Sequence, residues 1–280
     1  MKIYKPTYTI NELYKDTYVI ADGGLGQGSV YMYLLVGREK ALLVDSGYGL
    51  LDLGSIVATI TDKPVICVCT HGHIDHALGA CQFEEAYLHS KDFDVYAKHT
   101  DSTFIADMGL KGLMMRPPRF MRSNPSYLAL VEQMAKKQYA PLQELDGMGS
   151  FDLGERTVSW RYVPGHTQGS VAIIDEANKV AFDADACAPG AWLFLEESSP
   201  LPDYLKELES YKAFSDEHGI VHRYVGHAKK ALGEKYLRQL IKCTQVCINK
   251  PKKGIKKTTL LGKTRIVFAG GSLLFCGIES

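Results

Sequence analysis

The sequence lacks a net charge and a long hydrophobic run, and each absence excludes a class of protein. The 280 residues contain 32 Lys plus Arg and 32 Asp plus Glu, so the formal net charge is zero. A neutral chain has no general attraction for a polyanion, which argues against a nucleic-acid partner. No uninterrupted apolar run approaches the roughly 20 residues of a membrane helix, so no membrane partner is predicted either.

The sequence also lacks the features of a secreted, disulfide-bonded protein. It has seven cysteines, an odd number. Charged and polar residues recur from Lys2 through Asp22, so the apolar core of a signal peptide is not present there. These features predict a cytoplasmic protein with reduced thiols. Cys67 and Cys69 lie in an apolar strand and are expected to be buried as small hydrophobic side chains.

What the sequence does contain is enough apolar material for a large core. Apolar residues make up 46% of the chain and charged residues 23%, as in an ordinary globular protein. With no repeat and no linker-like segment, we predict one domain over residues 1–280. Hydrophobic periodicity predicts strands at 17–20, 31–36, 41–44, 65–69, 86–88, 157–163, 171–174, 180–182 and 221–225, two more strands within 258–276, and helices at 50–59, 92–98, 128–137, 203–217 and 229–248.

Three segments stand apart from this pattern. The stretch from about 100 to 141 is rich in methionine and arginine and is predicted to be a helical insertion. It could form a lid, a hairpin packed on the core or a homodimer contact.

The glycine-rich segment 22–28 joins two strands and lacks the Lys-Ser/Thr of a phosphate loop, so it is predicted to be a hairpin loop. The lysine-rich run 250–257 is predicted to be a solvated loop, with contact to coenzyme A or RNA phosphates as the alternative.

The densest chemical motif is His71-Gly72-His73-Ile74-Asp75-His76, directly after the strand at 65–69. In an extended segment His71 and His73 point to the same side, so both can bind one ion. Asp75 and His76 follow at the turn, where they can face a second ion. Imidazole and carboxylate ligands suit zinc, and also iron or manganese.

Three further segments place ligand-type residues just after apolar strands. His166 lies in Pro164-Gly165-His166-Thr167-Gln168-Gly169-Ser170, Asp185 follows the strand at 180–182, and His227 follows the strand at 221–225. Strand ends are where α/β proteins place their sites. The sequence therefore predicts that these three residues complete the metal site.

These motifs, in this order and together with Asp45, resemble the metallo-β-lactamase-fold hydrolase superfamily. The resemblance covers most of the chain, from Asp45 to His227. It implies an α+β protein, a four-layer αβ/βα sandwich, here with a helical insertion. It implies one ion on His71, His73 and His166, a second on Asp75, His76 and His227, and a bridge by Asp185. Asp45 would orient the histidine-rich loop from behind, although a simple turn or cap role is an alternative.

One position departs from the family pattern. The family usually has Gly before the bridging aspartate, and this chain has Ala184. Asp183 is therefore an alternative ligand, although the register favours Asp185. The other histidines, His89, His99, His218 and His222, are interpreted as ordinary surface or core residues.

The resemblance implies a hydrolase holding two Zn²⁺, with Fe or Mn as alternatives, in which a metal-activated hydroxide attacks an ester, thioester or lactone carbonyl of a small-molecule substrate. Asp75 would be catalytic by aiming that hydroxide. Asp185 favours the glyoxalase II-like, lactonase-like and thioesterase-like branches, since the zinc β-lactamases usually carry Cys there. The short segment after His227 argues against glyoxalase II itself. The alternatives are an iron-dependent sulfur dioxygenase-like enzyme, a phosphodiesterase of the same fold, and a non-enzymatic metal-binding descendant.

Overall fold

The computed structural model describes residues 7–22, 30–114, 127–259 and 261–277, with side chains described throughout except at 110–114 and 127. The glycines of the predicted hairpin loop lie outside these ranges, and so do Met115, Met121 and the three arginines of the predicted insertion. The chain divides into two compact units. The first comprises Met1–Leu88 and Phe93–Leu145, and the second comprises His89–Asp92 and Asp146–Ser280. The prediction of a single domain stays a prediction.

The first unit is built on a seven-stranded sheet whose strands follow chain order, β1 to β7. Strands β1 to β4 pair antiparallel, and β4, β5 and β6 pair parallel. Its strands are β1 Tyr8–Tyr14, β2 Thr17–Asp22, β3 Val30–Val36, β4 Ala41–Val44, β5 Val65–Val68, β6 Glu85–His89 and β7 Gln143–Leu145, and its helices are α1 Leu53–Ala58, α2 Ile74–Ala77, α3 Phe93–Thr100, α4 Ser102–Met114 and α5 Tyr127–Lys136.

Burial explains why the central strands of this unit are almost wholly apolar. All four residues of β4 are buried, because this strand lies between β3 and β5 and is covered on both faces, so both faces need apolar side chains. Cys67 and Cys69 belong to the same core as Leu43 and Leu88, as predicted for buried thiols. All seven cysteines are free, and only Cys81 is not fully buried.

The predicted helical segment 128–137 corresponds to α5. Val131 and Met134 of α5 pack against Ile105 of α4 and Leu78 in a second, smaller core of the same unit. Within the described part of the 100–141 segment, Ser102–Met114 and Tyr127–Lys136 are helical and residues 137–141 are not, so the segment is largely helical as predicted.

The second unit contains two sheets. One has six strands in the order β14-β13-β11-β10-β9-β8, and the other has four in the order β12-β17-β16-β15. Its elements are β8 Gly149–Asp152, β9 Thr157–Tyr162, β10 Val171–Asp175, β11 Val180–Phe182, β12 Ala191–Leu193, α6 Leu201–Glu217, β13 His222–Tyr224, β14 Leu232–Gly233, α7 Tyr236–Asn249, β15 Ile255–Thr259, β16 Gly262–Ala269 and β17 Ser272–Cys276. One apolar core joins α6 and α7 to strands of both sheets.

Two predicted segments need correction. The helix expected at 229–248 begins only at Tyr236, because Leu232–Gly233 pairs with β13 as the short strand β14. The lysine-rich run 250–257 is exposed, as expected, but it is not all loop. From Ile255 onwards it forms β15, which pairs antiparallel with β16. Within the described part of the chain, no helix combines the length and apolarity needed to cross a membrane.

Candidate metal centre

In the first unit, the segment after β5 brings its ligand-type side chains together. His71, His73 and His76 are all buried. The ring centroid of His71 lies 4.7 Å from that of His73 and 4.2 Å from that of His76. Oδ2 of Asp75 lies 3.7 Å from Nε2 of His76. This unit therefore places all four predicted ligands of the motif in one cluster.

Asp45 holds two of these rings through a chain of hydrogen bonds. Oδ2 of Asp45 accepts from Nδ1 of His76 at 2.8 Å, which requires the proton of that ring to be on Nδ1. The hydroxyl of Thr70 donates to the same carboxylate, at 2.8 Å to Oδ1. With its proton used in this way, Thr70 Oγ1 accepts from Nδ1 of His71 at 3.1 Å. In the neutral form of both rings the proton is therefore on Nδ1, and Nε2 is the nitrogen that can bind a metal.

The backbone reinforces this arrangement. Asp45 has a φ of +62°, a conformation that Asp tolerates better than most residues. The next residue, Ser46, donates from both its backbone N and its Oγ to the carbonyl of His76, at 2.7 and 2.9 Å. The turn after β4 is thus tied directly to the helix that carries His76, which supports the orienting role expected for Asp45.

His99 is a site-adjacent residue that the sequence interpretation missed. Its ring stacks on that of His73, with centroids 4.8 Å apart and planes 22° apart. Its Nδ1 accepts a hydrogen bond from the backbone N of Ile74 at 3.0 Å. His99 therefore supports the turn that carries His73. Nothing in the local sequence of α3 distinguishes it from an ordinary core histidine.

The second unit brings together the other three predicted ligands. Oδ2 of Asp185 lies 3.8 Å from Nε2 of His166 and 3.4 Å from Nε2 of His227. His166 and Asp185 are largely shielded from solvent, whereas the side chain of His227 is 40% exposed. Asp185 thus stands between two imidazole nitrogens, as expected for a bridging carboxylate.

The His166 ring has one defined tautomer. Its Nδ1 lies 3.0 Å from the carbonyl oxygen of Trp192. A carbonyl can only accept, so Nδ1 carries a proton, and in the neutral ring Nε2 is the nitrogen that can bind a metal. Ser198 Oγ donates to the carbonyl of His166 at 2.9 Å and to that of Trp192 at 3.1 Å, which ties the two segments together.

Asp92 is a second residue that the sequence interpretation missed. It is fully buried and accepts hydrogen bonds from Thr167 Oγ1 at 2.6 Å and from the backbone N of Gly169 at 2.7 Å. A Cβ added at Gly169 would lie 2.5 Å from Oδ1 of Asp92, so only glycine allows this approach. From sequence alone, Asp92 has the position of a cap for α3, whereas it fixes the loop that carries His166.

Asp183 and Asp185 differ in their hydrogen-bond and ion-pair partners. Asp183 is fully buried and accepts from Arg223 Nη1 at 2.8 Å and from the hydroxyl of Tyr211. Burial by itself lowers the pKa of the Arg223 guanidinium, but the neighbouring Asp183 carboxylate outweighs it, so that pKa is raised above its usual value. Asp183 is therefore committed to a buried ion pair, and Asp185 is the carboxylate that faces the histidines.

Ala184 sits between them with a φ of +42°. This left-handed conformation favours glycine, the residue that the family pattern predicts there.

The donor set and its spacing fit a divalent metal. A tetrahedral zinc ion at about 2.0–2.1 Å from each ligand places the ligand atoms about 3.3–3.5 Å from one another. The imidazole-to-carboxylate separations within each unit are 3.7, 3.8 and 3.4 Å. Nitrogen and carboxylate ligands suit zinc, and also iron or manganese. The residues present therefore fit divalent metal binding.

Comparison with known proteins places these observations in a wider context. The sequence model described as the Metallo-beta-lactamase superfamily matches residues 25–218. The chain is 25% identical over 209 residues to the acyl-coenzyme A thioesterase MBLAC2 of Gallus gallus, covering 70% of this chain and 71% of that protein. It is 23% identical over 220 residues to MBLAC2 of Homo sapiens, covering 74% and 76% respectively.

Solved structures show the same fold. A metallo-beta-lactamase from Pontibacter korlensis aligns with a TM-score of 0.61 and 14% identity, over 85% of this chain and 99% of that one. The DIM-1 metallo-beta-lactamase aligns with a TM-score of 0.60 and 14% identity, over 86% and 99%. At this level of identity the likeness concerns the fold alone, and it confirms the predicted fold class.

Proposed function

Since this chain belongs to the metallo-β-lactamase superfamily, we propose that it is a dinuclear zinc hydrolase of acyl thioesters. Family and relatives together support a metal-dependent hydrolase acting on a small molecule. The thioester is proposed because two vertebrate relatives are acyl-coenzyme A thioesterases by name. The free and mostly buried cysteines favour a reducing compartment, so we propose the cytoplasm as its location.

We propose that the two clusters act as one centre. One ion would be held by His71, His73 and His166, the second by Asp75, His76 and His227, with Asp185 shared. The observation that carries this proposal is the preset tautomer of the rings. His76 and His71 are fixed through Asp45, and His166 through the carbonyl of Trp192, so each presents Nε2 before any metal arrives. When bound, such a metal pair supplies a Lewis acid and an activated water nucleophile.

Asp75 is the proposed proton acceptor. Its side chain is 18% exposed, whereas that of His76 is fully buried, so the carboxylate lies where solvent can reach it. A carboxylate in that position can take the proton of the attacking water and orient its oxygen toward the carbonyl carbon. The leaving thiol has an ordinary pKa near 8.5 by analogy with cysteine, so its departure needs little protonation. Cleavage of a thioester therefore depends less on protonation of the leaving group than cleavage of an ester or amide does.

The test is hydrolysis of a panel consisting of an acyl-coenzyme A, a carboxylic ester, a lactone, a β-lactam and a phosphodiester, each with and without chelator. We expect chelator-sensitive cleavage of the acyl-coenzyme A. The Asp75→Asn variant should lose about 10²- to 10⁴-fold in kcat, the usual contribution of a positioned acid–base group. His222→Ala is the matched control, because His222 is exposed on β13 and has no part in either cluster.

Three outcomes would contradict the proposal. Thioester cleavage that persists in chelator and in a His71→Ala variant would remove the metal from the chemistry. Turnover of only the lactone or only the phosphodiester would reassign the substrate class. Iron content with oxygen consumption on a persulfide would favour sulfur dioxygenase chemistry.

A further inference from the structure

The four-stranded sheet of the second unit has one face packed on its core and an opposite face lined by half-buried and exposed apolar side chains. Toward the core point Leu193 of β12, Leu274 of β17 and Val267 of β16, which pack with helix α7. Side chains alternate along a strand, so the residues between them point the opposite way. The opposite face is therefore defined by the alternate residues of the same strands.

That face carries an unbroken apolar row across all four strands. Trp192 pairs with Phe275, Phe275 with Ile266, and Ile266 with Ile255. A second pair, Leu273 and Phe268, lies beside it in the next register position. Ile255 is 66% exposed and Phe268 is 59% exposed, although both are large apolar side chains. Soluble proteins rarely leave such residues clustered in the open without a binding role.

The row begins next to the proposed metal centre. The backbone carbonyl of Trp192 accepts from Nδ1 of His166, so one hydrogen bond holds the strand that begins the row beside a proposed metal ligand. Trp192 also contacts two neighbouring rings, those of Phe194 and Phe275, at centroid distances of 5.4 and 6.0 Å. The apolar surface therefore extends from the segment that orients His166 to the outer strand β15.

The dimensions and charges point to one occupant. Four strands spaced about 4.7–4.9 Å apart make a row about 14–15 Å long. An extended chain advances about 1.2 Å per bond, so the row matches an aliphatic chain of about twelve bonds. Lys253 and Lys257 flank Ile255 at the outer strand, so a two-fold contact centred there would bring like charges together. An uncharged alkyl chain meets no such obstacle.

We propose that this face, Trp192, Phe275, Ile266 and Ile255 with Leu273 and Phe268, binds the acyl chain of the substrate and sets a preference for long chains. The inference rests on the proposed thioesterase function and adds to it the part of the substrate that determines specificity. The carbonyl carbon would lie at the His166 end of the row and the methyl end at β15. Long chains gain affinity by burying methylenes against this face, whereas an acetyl group does not reach it.

The first experiment compares kcat/KM for acetyl-, hexanoyl- and dodecanoyl-coenzyme A in the wild type and in Ile255→Ser. Ile255 is exposed, so the substitution leaves the fold intact. We expect dodecanoyl-coenzyme A to lose about fivefold in kcat/KM and acetyl-coenzyme A less than about twofold, since the lost contact concerns only a few methylenes. Met148→Ser is the matched control, because Met148 is 69% exposed in the same unit but lies just before β8, outside the face.

The second experiment needs no catalysis. The chain has two tryptophans, so Trp160→Phe leaves Trp192 as the only indole. Titration of this variant with dodecanoate should change the Trp192 emission in a saturable way, acetate should not, and adding Ile255→Ser should weaken the dodecanoate response by about fivefold.

The outcomes separate the two proposals. If no acyl-coenzyme A is cleaved, the proposed function fails, while the dodecanoate titration still tests the face. If all chain lengths are cleaved and Ile255→Ser lowers none selectively, the acyl-chain proposal is overturned. A change in sedimentation coefficient in Ile255→Ser would overturn it in favour of a second copy of the chain. Binding of the wild type to anionic vesicles that Ile255→Ser loses would overturn it in favour of a lipid surface.

Discussion

Oδ2 of Asp45 accepts a hydrogen bond from Nδ1 of His76 at 2.8 Å, although the two residues stand 31 positions apart and in different elements. The same carboxylate accepts hydrogen bonds from the backbone N and the hydroxyl of Thr70. The hydroxyl oxygen of Thr70 in turn accepts a hydrogen bond from Nδ1 of His71. One buried aspartate therefore sets the proton positions of two imidazoles. A carboxylate that orients proposed metal ligands in this way is expected to raise metal affinity without being a ligand itself.

Replacing Asp45 by Asn tests this expectation. Asn tolerates the positive φ of the position, so the fold should persist. Its amide cannot accept from His76 and Thr70 as the carboxylate does, so metal affinity should fall by about 10- to 100-fold. Calorimetric zinc titration of the apoprotein measures the change. Asp52→Ala is the control: Asp52 caps α1 through Ser55, so its loss should lower stability without changing zinc affinity. Equal zinc affinity in wild type and Asp45→Asn would remove Asp45 from the site.

Removing the metal should lower thermal stability. An ion present at 100 times its Kd stabilises the folded state by about 2.7 kcal/mol, which corresponds to about 5 °C in Tm for a chain of this size. Differential scanning calorimetry with and without chelator measures this shift. In Asp185→Asn the shift should shrink, because the shared carboxylate between His166 and His227 is lost. Reconstitution of the apoprotein with zinc, iron or manganese then ranks these metals by the rise in Tm that each produces. A Tm that does not change on adding chelator would argue against bound metal.

Substitutions of Asp183 and Asp185 should have different effects: the first should lower stability, and the second should lower metal binding. Asp183→Ala leaves the Arg223 guanidinium buried with no carboxylate, and such an unpaired buried charge costs about 3–5 kcal/mol. Asp185→Ala should leave the metal-free stability within about 1 kcal/mol of wild type and reduce metal binding instead. Urea unfolding of the apoproteins, followed by metal analysis, compares the two. The assignment of Asp185 would be wrong if Asp183→Ala lost metal while keeping its stability.

Ala184 occupies a backbone conformation better suited to glycine. A φ of +42° destabilises an L-residue by about 1–2 kcal/mol, and glycine avoids this strain. Glycine also loses more conformational entropy on folding than alanine, which offsets about 0.5–1 kcal/mol of that gain. Ala184→Gly should therefore raise the free energy of unfolding by about 0.5–1 kcal/mol. Ala186→Gly, in the same turn and without a positive φ, should lower it. A loss of stability in both variants would mean that Ala184 is not strained.

Glu207 gives the expected pH dependence. Burial raises the pKa of its carboxyl, and Arg161, 3.8 Å away, offsets this only in part. Between the unfolded pKa and the higher folded pKa the native state binds more protons, so Glu207 contributes most to stability at low pH and loses that contribution as pH rises through the folded pKa.

Glu207→Gln should therefore be more stable than wild type at pH 8, by less than about 1 kcal/mol, and the difference should vanish or reverse at pH 4. Urea unfolding at the two pH values measures it. Glu209→Gln, exposed on the same helix, is the control and should show no such pH dependence. A Glu207→Gln gain that is constant from pH 4 to pH 8 would contradict the burial effect.

The sequence by itself determined the local elements with strong periodicity. Strands β4 and β11 lie at the predicted residues, and α5 lies within one residue of its predicted range. Their side chains alternate or repeat in a way that burial requires, and the pattern is visible without the fold. The cluster of His71, His73, Asp75 and His76 was also readable, because four ligand types within six residues are rare.

Tertiary structure decided what depends on pairing between distant segments. Strand β1 has mostly exposed side chains and exists because it pairs with β2, and β15 exists because Ile255–Thr259 pairs with β16. Neither has a local hydrophobic signal that marks a strand.

The same reason explains the supporting residues of the site. His99, Asp92 and the carbonyl of Trp192 act on residues 25 to 77 positions away, through single hydrogen bonds. A hydrogen bond needs a partner atom within about 3 Å, and only the folded backbone brings those atoms together. The sequence could therefore name candidate metal ligands by residue type, whereas the folded chain alone decided which groups orient them and that Asp183 pairs with Arg223.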